Sequence, residues 1–103
     1  MPKEHERDIL KSIVDYLNLR NFLFVRNGTG SFKTEKGGWF KTGAAGSPDL
    51  LVFLKGGQCI GLEVKTPKGK LRPSQEGWKS RAENIGMRYE VVRSLDDVIK
   101  ILK

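Results

Sequence analysis

The chain has 103 residues, which is enough for one domain with a single, modest hydrophobic core. Hydrophobic residues make up 38% of it and charged residues 30%, so the composition excludes a disordered tail and predicts one globular domain spanning residues 1–103. Nineteen Lys and Arg against twelve Asp and Glu give a formal net charge of +7. That charge favours a polyanionic partner, either nucleic acid or an acidic membrane surface.

Several kinds of site and location are excluded by what the chain lacks. With one cysteine, Cys59, and one histidine, His5, a single chain can form neither a disulfide nor a Cys/His zinc site. The longest apolar stretch, Leu50–Leu54, is too short to span a membrane, and the N-terminus lacks the apolar run of a secretory signal. We therefore expect a cytoplasmic protein with no membrane partner, in which any metal is held by oxygen ligands.

The first part of the chain is predicted to form a helix, a strand and a glycine-rich segment. Apolar residues recur at helical spacing, so Lys3 to about Leu19 is predicted to be an amphipathic helix. The short aromatic and β-branched run Phe22–Arg26 is typical of a buried strand. Six of the twelve glycines lie between residues 27 and 47, which predicts a long, mobile or weakly paired segment there.

A β-hairpin is predicted in the middle of the chain. Its strands are Pro48–Leu54 and Gln58–Lys65, and the turn between them contains two consecutive glycines. With a three-residue turn, Asp49 lies directly across from Glu63. A two-residue turn would instead place these two carboxylates on opposite faces of the hairpin.

The last part is predicted to contain a helix, a strand and a short helix. Ser74 is typical of an N-cap, and the helix that follows it begins its inward stripe at Gln75 and ends at Gly86. Arg88–Val92 is typical of a strand, and Ser94 of the N-cap of a terminal helix. The predicted order is therefore helix, three strands, helix, strand and short helix, which is an α/β arrangement.

Glu63 breaks the apolar pattern of its strand, where an uncompensated carboxylate is costly to bury. Asp49 stands across from it, and Lys65 follows on the same face because strand side chains repeat every second residue. Two adjacent carboxylates repel each other, and a hard divalent cation such as Mg²⁺ or Mn²⁺ neutralises them. Glu6 extends the apolar stripe of the first helix, and Gln75 follows Lys65 by one loop, so both can reach this site.

The chain also carries a set of short motifs in a fixed order. It contains Ser47-Pro-Asp followed by Glu63-Val-Lys, together with Arg26-Asn-Gly, Thr66-Pro-Lys-Gly, Arg72-Pro-Ser-Gln and Val91-Val-Arg-Ser. The first pair resembles the pattern of the PD-(D/E)xK nuclease superfamily, and the ordered set resembles its VRR-NUC family over nearly the whole chain. This resemblance implies a restriction-endonuclease-like αβββαβ core, with a mixed central sheet flanked by helices.

The same resemblance implies Mg²⁺-dependent hydrolysis of phosphodiester bonds in DNA, with Mn²⁺ able to substitute. Lys65 would orient or activate the attacking water, and Gln75 would position Lys65 or the substrate. The implied metal ligands are Asp49, Glu63, the main-chain carbonyl of Val64 and, for a second metal or its waters, Glu6.

VRR-NUC proteins and the similar archaeal Holliday-junction resolvases act on branched DNA. The resemblance therefore implies a structure-selective endonuclease that acts on four-way junctions or flaps. One site cuts one strand, so paired cuts need a homodimer. A single domain of this length resembles phage and bacterial members, and the residues leave open whether a helicase partner delivers the DNA.

Basic residues bracket the proposed site in the sequence. Arg20–Lys41 contains five basic residues and one acid, and Lys65–Arg81 contains six basic residues and one acid. We expect these segments to contact the phosphate backbone, and Trp39 either to stack on exposed bases or to pack in a dimer interface. The expected DNA-binding residues are Arg26, Lys33, Lys36, Trp39, Lys41, Lys68, Lys70 and Arg72.

Each of these residues also has a simpler structural interpretation. Asp49 is a common type of turn residue, and Glu63 with Lys65 is a common type of structural ion pair. Glu6 suits the N-terminal end of a helix dipole, and Gln75 the first turn of a helix. The alternative function is therefore a non-catalytic nucleic-acid-binding module that keeps the nuclease fold, and such a module would tolerate both a chelator and the substitution Glu63→Ala.

Overall fold

The computed structural model describes residues 5–28, 30–33, 35–42 and 44–103, with the backbone alone at 30–33 and 39–42. Within these residues the chain forms three helices and six strands. The helices are α1 (Glu6–Leu19), α2 (Pro73–Asn84) and α3 (Leu95–Ile101). The strands are β1 (Leu23–Arg26), β2 (Gly30–Lys33), β3 (Trp39–Thr42), β4 (Leu50–Phe53), β5 (Cys59–Val64) and β6 (Arg88–Val92). No helix in this part of the chain is long and apolar enough to cross a membrane.

Four of the strands form one mixed sheet in the order β1-β4-β5-β6. β4 pairs antiparallel with both β1 and β5, whereas β6 pairs parallel with β5. A parallel pair needs a crossover connection, and the segment that contains α2 supplies it between β5 and β6. The predicted α/β fold with a mixed central sheet flanked by helices is confirmed.

The β4–β5 hairpin has the predicted register. Leu50 pairs with Leu62, which leaves a three-residue turn at 55–57. Both glycines of that turn have positive φ, a conformation that glycine adopts without steric cost. Because strand side chains alternate, Asp49 and Glu63 share the face of the hairpin opposite to Leu50 and Leu62.

The hydrophobic core lies between the other face of the sheet and the helices α1 and α3. α1 contributes Ile9, Ile13 and Leu17 at helical spacing, all of them 1% exposed or less, and α3 contributes Val98. The sheet contributes alternate residues of β4, β5 and β6, namely Leu50, Val52, Ile60, Leu62, Val64 and Val92. The face that carries Glu63 is thereby left for α2.

The N-terminal elements differ from the sequence prediction in their limits and burial. Lys3, the predicted start of the first helix, lies outside the described residues, and His5 is the N-cap of α1. β1 is not the buried strand predicted, because it lies at the edge of the sheet with Leu23 71% and Val25 49% exposed. Phe24 packs against the hydrophobic core, whereas the alternate side chains of β1 point away from it and stay exposed.

Residues 27–47 contain regular structure that the glycine-rich composition did not predict. β2 and β3 form a separate two-stranded antiparallel sheet, in which Gly30 pairs with Thr42. Strand pairing is made by backbone N–H and C=O groups. Glycine carries both, so a glycine-rich segment can form such a pair. The expected DNA-binding side chains of Lys33, Trp39 and Lys41 lie outside the described part of the chain.

The N-terminus of α2 lies two residues before the predicted position. Ser74 is not the N-cap; Arg72 is the N-cap, and Pro73 is the first helical residue. Proline suits that position because its fixed φ fits the helix and its missing N–H would have no partner there. Gln75 Oε1 accepts the Arg72 N–H at 2.8 Å and so takes over the capping role. The predicted cap of α3 is confirmed, since Ser94 Oγ accepts the Asp97 N–H at 3.2 Å.

Candidate active site

Three carboxylates from separate parts of the chain meet at one end of the sheet. Glu6 begins α1, Asp49 immediately precedes β4, and Glu63 lies on β5. One oxygen atom from each of them lies within 4.8 Å of the others. Glu6 is exposed, Asp49 is partly buried and Glu63 is 2% exposed. The structure thus brings together the three acidic residues that the sequence singled out.

Asp49 is held from both sides by its surroundings. The Asn27 Nδ2 donates to Ser47 Oγ and to Pro48 O, each at 2.9 Å, which orders the turn before β4. The Asn27 N–H also donates to Asp49 O at 2.8 Å. Asp49 Oδ2 accepts the Val64 N–H at 2.8 Å. The carboxylate of Asp49 is therefore oriented by the backbone of Val64, the residue whose carbonyl is the remaining predicted metal ligand.

Both carboxylate oxygens of Glu63 have polar neighbours. Gln75 Nε2 donates to Oε2 at 3.0 Å, and Lys65 Nζ lies 3.8 Å from the same oxygen. On the other side, the hydroxyl of Tyr89 lies 3.5 Å from Oε1. These contacts offset part of the cost of burying a carboxylate.

The environment of Glu63 favours its protonated form. Burial, followed by the charge and hydrogen bonding of Asp49, raises the pKa of Glu63 from 4.5 to about 8. Lys65 opposes this rise, and Glu6 adds to it. Burial and the neighbouring Glu63 also raise the pKa of Tyr89, so its hydroxyl remains a neutral donor. The carboxylate cluster therefore binds a proton at neutral pH when it binds no cation.

Lys65 lies directly after β5, on the same face as Glu63. Its side chain is 5% exposed, although an ammonium group is rarely buried without a specific partner. The Lys65 N–H donates to Val92 O at 3.0 Å, which extends the pairing with β6 by one residue. At 3.8 Å, the Lys65 ammonium is an ion-pair partner of Glu63 and not a close hydrogen-bond donor to it.

Gln75 links the start of α2 to the site. Its Oε1 caps the helix by accepting the Arg72 N–H, and its Nε2 donates to Glu63. Both ends of the carboxamide are therefore used. Gln75 reaches the site as its place on the inward stripe predicted, and its contact there is with Glu63.

Sequence reasoning did not find Tyr89. In the parallel pair, Tyr89 lies beside Gly61, two residues before Glu63 and therefore on the same face. Its ring packs on Trp78 of α2, with ring centroids 5.8 Å apart. Tyr89 stands in a strand that the sequence predicts. The pairing of that strand with β5, which places Tyr89 beside the site, is seen only in the structure.

The expected DNA-binding side chains that the structure describes lie on the surface. All five are exposed, and none forms an ion pair with a carboxylate of the described residues. They are Arg26, Lys36, Lys68, Lys70 and Arg72. The last three belong to the loop that connects Lys65 to α2, so their charge lies on the segment that directly follows the buried lysine.

The donor set of the cluster fits a metal ion. Carboxylate oxygens are hard ligands, and the three acidic side chains offer one each within 4.8 Å of one another. A cation at this point would offset the burial and the Asp49 charge that together raise the pKa of Glu63. The group of Glu6, Asp49 and Glu63 can therefore hold a metal ion.

Comparison with known proteins agrees with this geometry. The sequence profile of the VRR-NUC domain matches residues 6–96. The chain belongs to the VRR-NUC domain family. A solved structure described as a VRR_NUC domain is similar to this fold with a TM-score of 0.69 and 26% sequence identity, over 94% of this chain and 92% of that one. The search of curated proteins gives no match. Membership of the VRR-NUC family gives the chain a nuclease-like fold and supports nuclease activity and DNA binding at the general level.

Proposed function

We propose that this VRR-NUC domain is a Mg²⁺-dependent, structure-selective DNA endonuclease of the PD-(D/E)xK type. The observation that carries the proposal is the carboxylate cluster of Glu6, Asp49 and Glu63, with the buried ammonium of Lys65 at 3.8 Å from Glu63. A positive side chain beside a metal-binding acidic cluster is the arrangement that phosphodiester hydrolysis needs, because negative charge grows on the phosphate during the reaction.

Each residue of the site has a distinct task in this proposal. Asp49, Glu63 and the Val64 carbonyl would hold Mg²⁺, or Mn²⁺ in its place, and Glu6 would hold a second ion or its waters. The cation would lower the pKa of the attacking water and neutralise charge on the phosphate. Lys65 orients the attacking water and stabilises the developing negative charge. The water oxygen would form the new bond to phosphorus as the bond to the leaving sugar oxygen breaks, the attacking water would lose a proton to solvent, and the leaving oxygen would take one from solvent.

Gln75 and Tyr89 would orient Glu63 without contacting the reacting atoms themselves. They approach opposite oxygens of its carboxylate, one from α2 and one from β6. A carboxylate contacted on both of its oxygens keeps its direction. We therefore assign these two residues a positioning role.

DNA would be bound through the phosphate backbone by the exposed basic residues on either side of the site. We propose branched DNA, such as four-way junctions or flaps, as the substrate and a homodimer as the active form. A single site cuts one strand, so paired cuts across a junction need two copies of the chain. A helicase that delivers the substrate is compatible with this scheme and is not required by it.

Cleavage of a labelled panel tests the proposal. The panel contains a four-way junction, a 5′ flap, a splayed arm, a linear duplex and a single strand, each incubated with Mg²⁺ or with EDTA. We expect cleavage in Mg²⁺ only, fastest on the branched substrates, and a loss of at least about 100-fold for Asp49→Asn. Asp15→Asn is the matched control, because Asp15 is an exposed residue of α1 that pairs with Lys11.

The outcomes separate the two candidate functions. Cleavage that resists EDTA, or that survives Asp49→Asn, would overturn the metal site. Tight DNA binding without cleavage in Mg²⁺ or Mn²⁺ would support the non-catalytic binding module instead. Light scattering of the same sample is expected to give about twice the 11.6 kDa mass of one chain, and an 11.6 kDa species that still made paired cuts would contradict the homodimer.

A further inference from the structure

Arg93 makes an unusual set of contacts just beyond the end of β6, with the turn that follows Lys65. It follows the last residue of β6, and its Nη1 approaches three backbone carbonyls of a single turn. The distances are 2.7 Å to Thr66 O, 2.6 Å to Gly69 O and 3.3 Å to Pro67 O. Hydrogen bonds from a charged donor are the strong ones, so this side chain is a clamp on the turn at 66–69.

The clamp is itself fixed to the end of the sheet. The Arg93 N–H donates to Asp97 Oδ2 at 2.8 Å, and the Asp97 N–H donates to Ser94 Oγ at 3.2 Å. Its neighbour Val92 accepts the Lys65 N–H at 3.0 Å, so the last pairing of β5 with β6 lies next to the turn. Arg93 therefore connects the loop to α3 and to the end of β6.

The clamped turn carries basic residues and leads to the site. Lys68 lies within it, Lys70 follows it, and both are exposed. The turn is compact, since the Gly69 N–H donates to Thr66 O at 3.0 Å. Thr66 O thus accepts both this N–H and the Arg93 guanidinium, and no described carboxylate pairs with Arg93 in place of these carbonyls. Nothing in the described chain other than Arg93 donates a side-chain hydrogen bond to this turn.

We propose that Arg93 is a positioning residue for DNA binding, which acts by holding the turn at 66–69 so that Lys68 and Lys70 present their charges at fixed points. The inference rests on the proposed nuclease function, and it adds a residue outside the carboxylate cluster and outside the exposed basic set. A flexible loop with the same two lysines would have to be ordered each time DNA binds, which weakens binding. All three contacts are made by one nitrogen, Nη1, whose two N–H groups account for the two short hydrogen bonds, to Thr66 O and Gly69 O.

The first measurement needs no DNA. Trypsin cleaves after Lys68 and Lys70 only when the turn opens, because a bound protease needs an extended segment. We expect Arg93→Ala to speed cleavage at these two bonds by at least about 10-fold under native conditions, with little change at other sites. Arg88→Ala is the matched control, because it removes the same charge at the other end of β6 and because Arg88 contacts Glu90 instead of the loop.

The second measurement uses DNA. In EDTA, the affinity of Arg93→Ala for a four-way junction is expected to be about 10-fold lower than that of Arg88→Ala. The decrease of this affinity with salt concentration is also expected to become less steep, by the equivalent of about one phosphate contact or more. In Mg²⁺, the change is expected in KM, with kcat within about 2-fold of the wild type, since the carboxylates are untouched. Arg93→Lys keeps the charge and is the second variant in case Arg93→Ala does not fold.

Comparison of Arg93→Ala with Arg93→Lys distinguishes an effect of holding the turn from an effect of the positive charge alone. If Arg93 acts by holding the turn, KM rises in each variant in which trypsin cleaves the turn faster. Arg93→Lys is therefore expected to bind DNA well only if its turn stays closed. An open turn with unchanged KM would overturn the inference, as would effects of Arg93→Ala and Arg88→Ala that are equal. A wild type that neither binds nor cuts DNA would refute the proposed function instead, and the trypsin result would then concern the fold of the loop alone.

Discussion

Replacing Glu63 with glutamine is expected to abolish DNA cleavage while making the metal-free protein more stable at pH 8. The amide is close to the carboxylate in shape, and it can accept from Gln75 through its oxygen and donate to the Tyr89 hydroxyl oxygen through its NH2 group. It is neutral, however, and a poor ligand for a hard cation. We expect the rate of cleavage in Mg²⁺ to fall by at least about 1000-fold, since a metal ligand is lost from the reacting centre.

The stability change follows from the raised pKa of Glu63, which is about 8 in the folded protein. In the unfolded chain this carboxyl has an ordinary pKa of 4.5, so between these two values the folded state holds more protons than the unfolded state. The contribution of Glu63 to the free energy of unfolding is therefore full below the lower pKa and is lost as the pH rises towards 8. Glutamine does not titrate, so the advantage of Glu63→Gln over the wild type should grow with pH through this window.

Urea unfolding in EDTA at pH 5 and pH 8.5 measures this difference directly. Glu83→Gln serves as the control, because Glu83 is exposed on α2 and pairs only loosely with Lys79, at 3.9 Å. The control is expected to cut DNA at the wild-type rate and to show no added pH dependence. Equal stability of Glu63→Gln and the wild type at both pH values would show that burial and Asp49 do not raise the pKa of Glu63 in the folded protein.

Gly46→Ala is expected to destabilise the fold and to move the start of α2, which carries Gln75, away from Glu63. Gly46 has φ of 86°, a left-handed conformation that favours glycine. A Cβ at this position would overlap the backbone carbonyl of Ser74 and lie 3.1 Å from the Gln75 N. Because those atoms belong to helix backbone, they cannot move aside without displacing the start of α2. We expect a loss of more than about 3 kcal/mol in the free energy of unfolding.

The matched control is Gly77→Ala within the same helix. A Cβ there meets nothing within 4 Å, and alanine is the better helix former, so the expected change is a gain of about 0.5–1 kcal/mol. Any Gly46→Ala protein that folds should also cut DNA slowly, because α2 carries Gln75 onto Glu63. Thermal and urea unfolding of both variants, with cleavage of a four-way junction, check this. A Gly46→Ala protein as stable and as active as the wild type would mean that the loop before β4 does not touch α2 in solution.

The parts of this site that could be predicted from the sequence are those with a short-range cause. Two glycines in a turn and strict alternation of apolar residues determine the register of β4 and β5, and that register places Asp49 beside Glu63. The spacing of apolar residues along a helix likewise gave the inward faces of Glu6 and Gln75. In each case the relevant geometry repeats within about four residues, so neighbouring residues are enough to specify it.

The parts that could not be predicted depend on contacts between distant segments. The exposed face of β1 follows from its place at the edge of the sheet, which the five-residue run Phe22–Arg26 does not indicate. Tyr89 and Arg93 act on residues more than twenty positions earlier, across a parallel pair. The start of α2 is different, because the sequence carries two local signals for it. Pro73 is typical of a first helical position and Ser74 of an N-cap, and the structure follows the proline.

The parallel pairing of β5 with β6 also has a consequence for the order in which the protein is made. Glu63 and Lys65 are synthesised well before Tyr89 and Val92, the β6 residues that lie beside them in the folded chain. Until β6 has left the ribosome and joined the sheet, β5 is an edge strand and the carboxylate cluster lacks one of its walls. A growing chain therefore holds Glu6, Asp49, Glu63 and Lys65 before the site around them is complete, and under the proposed function it would cut DNA only once β6 has joined the sheet.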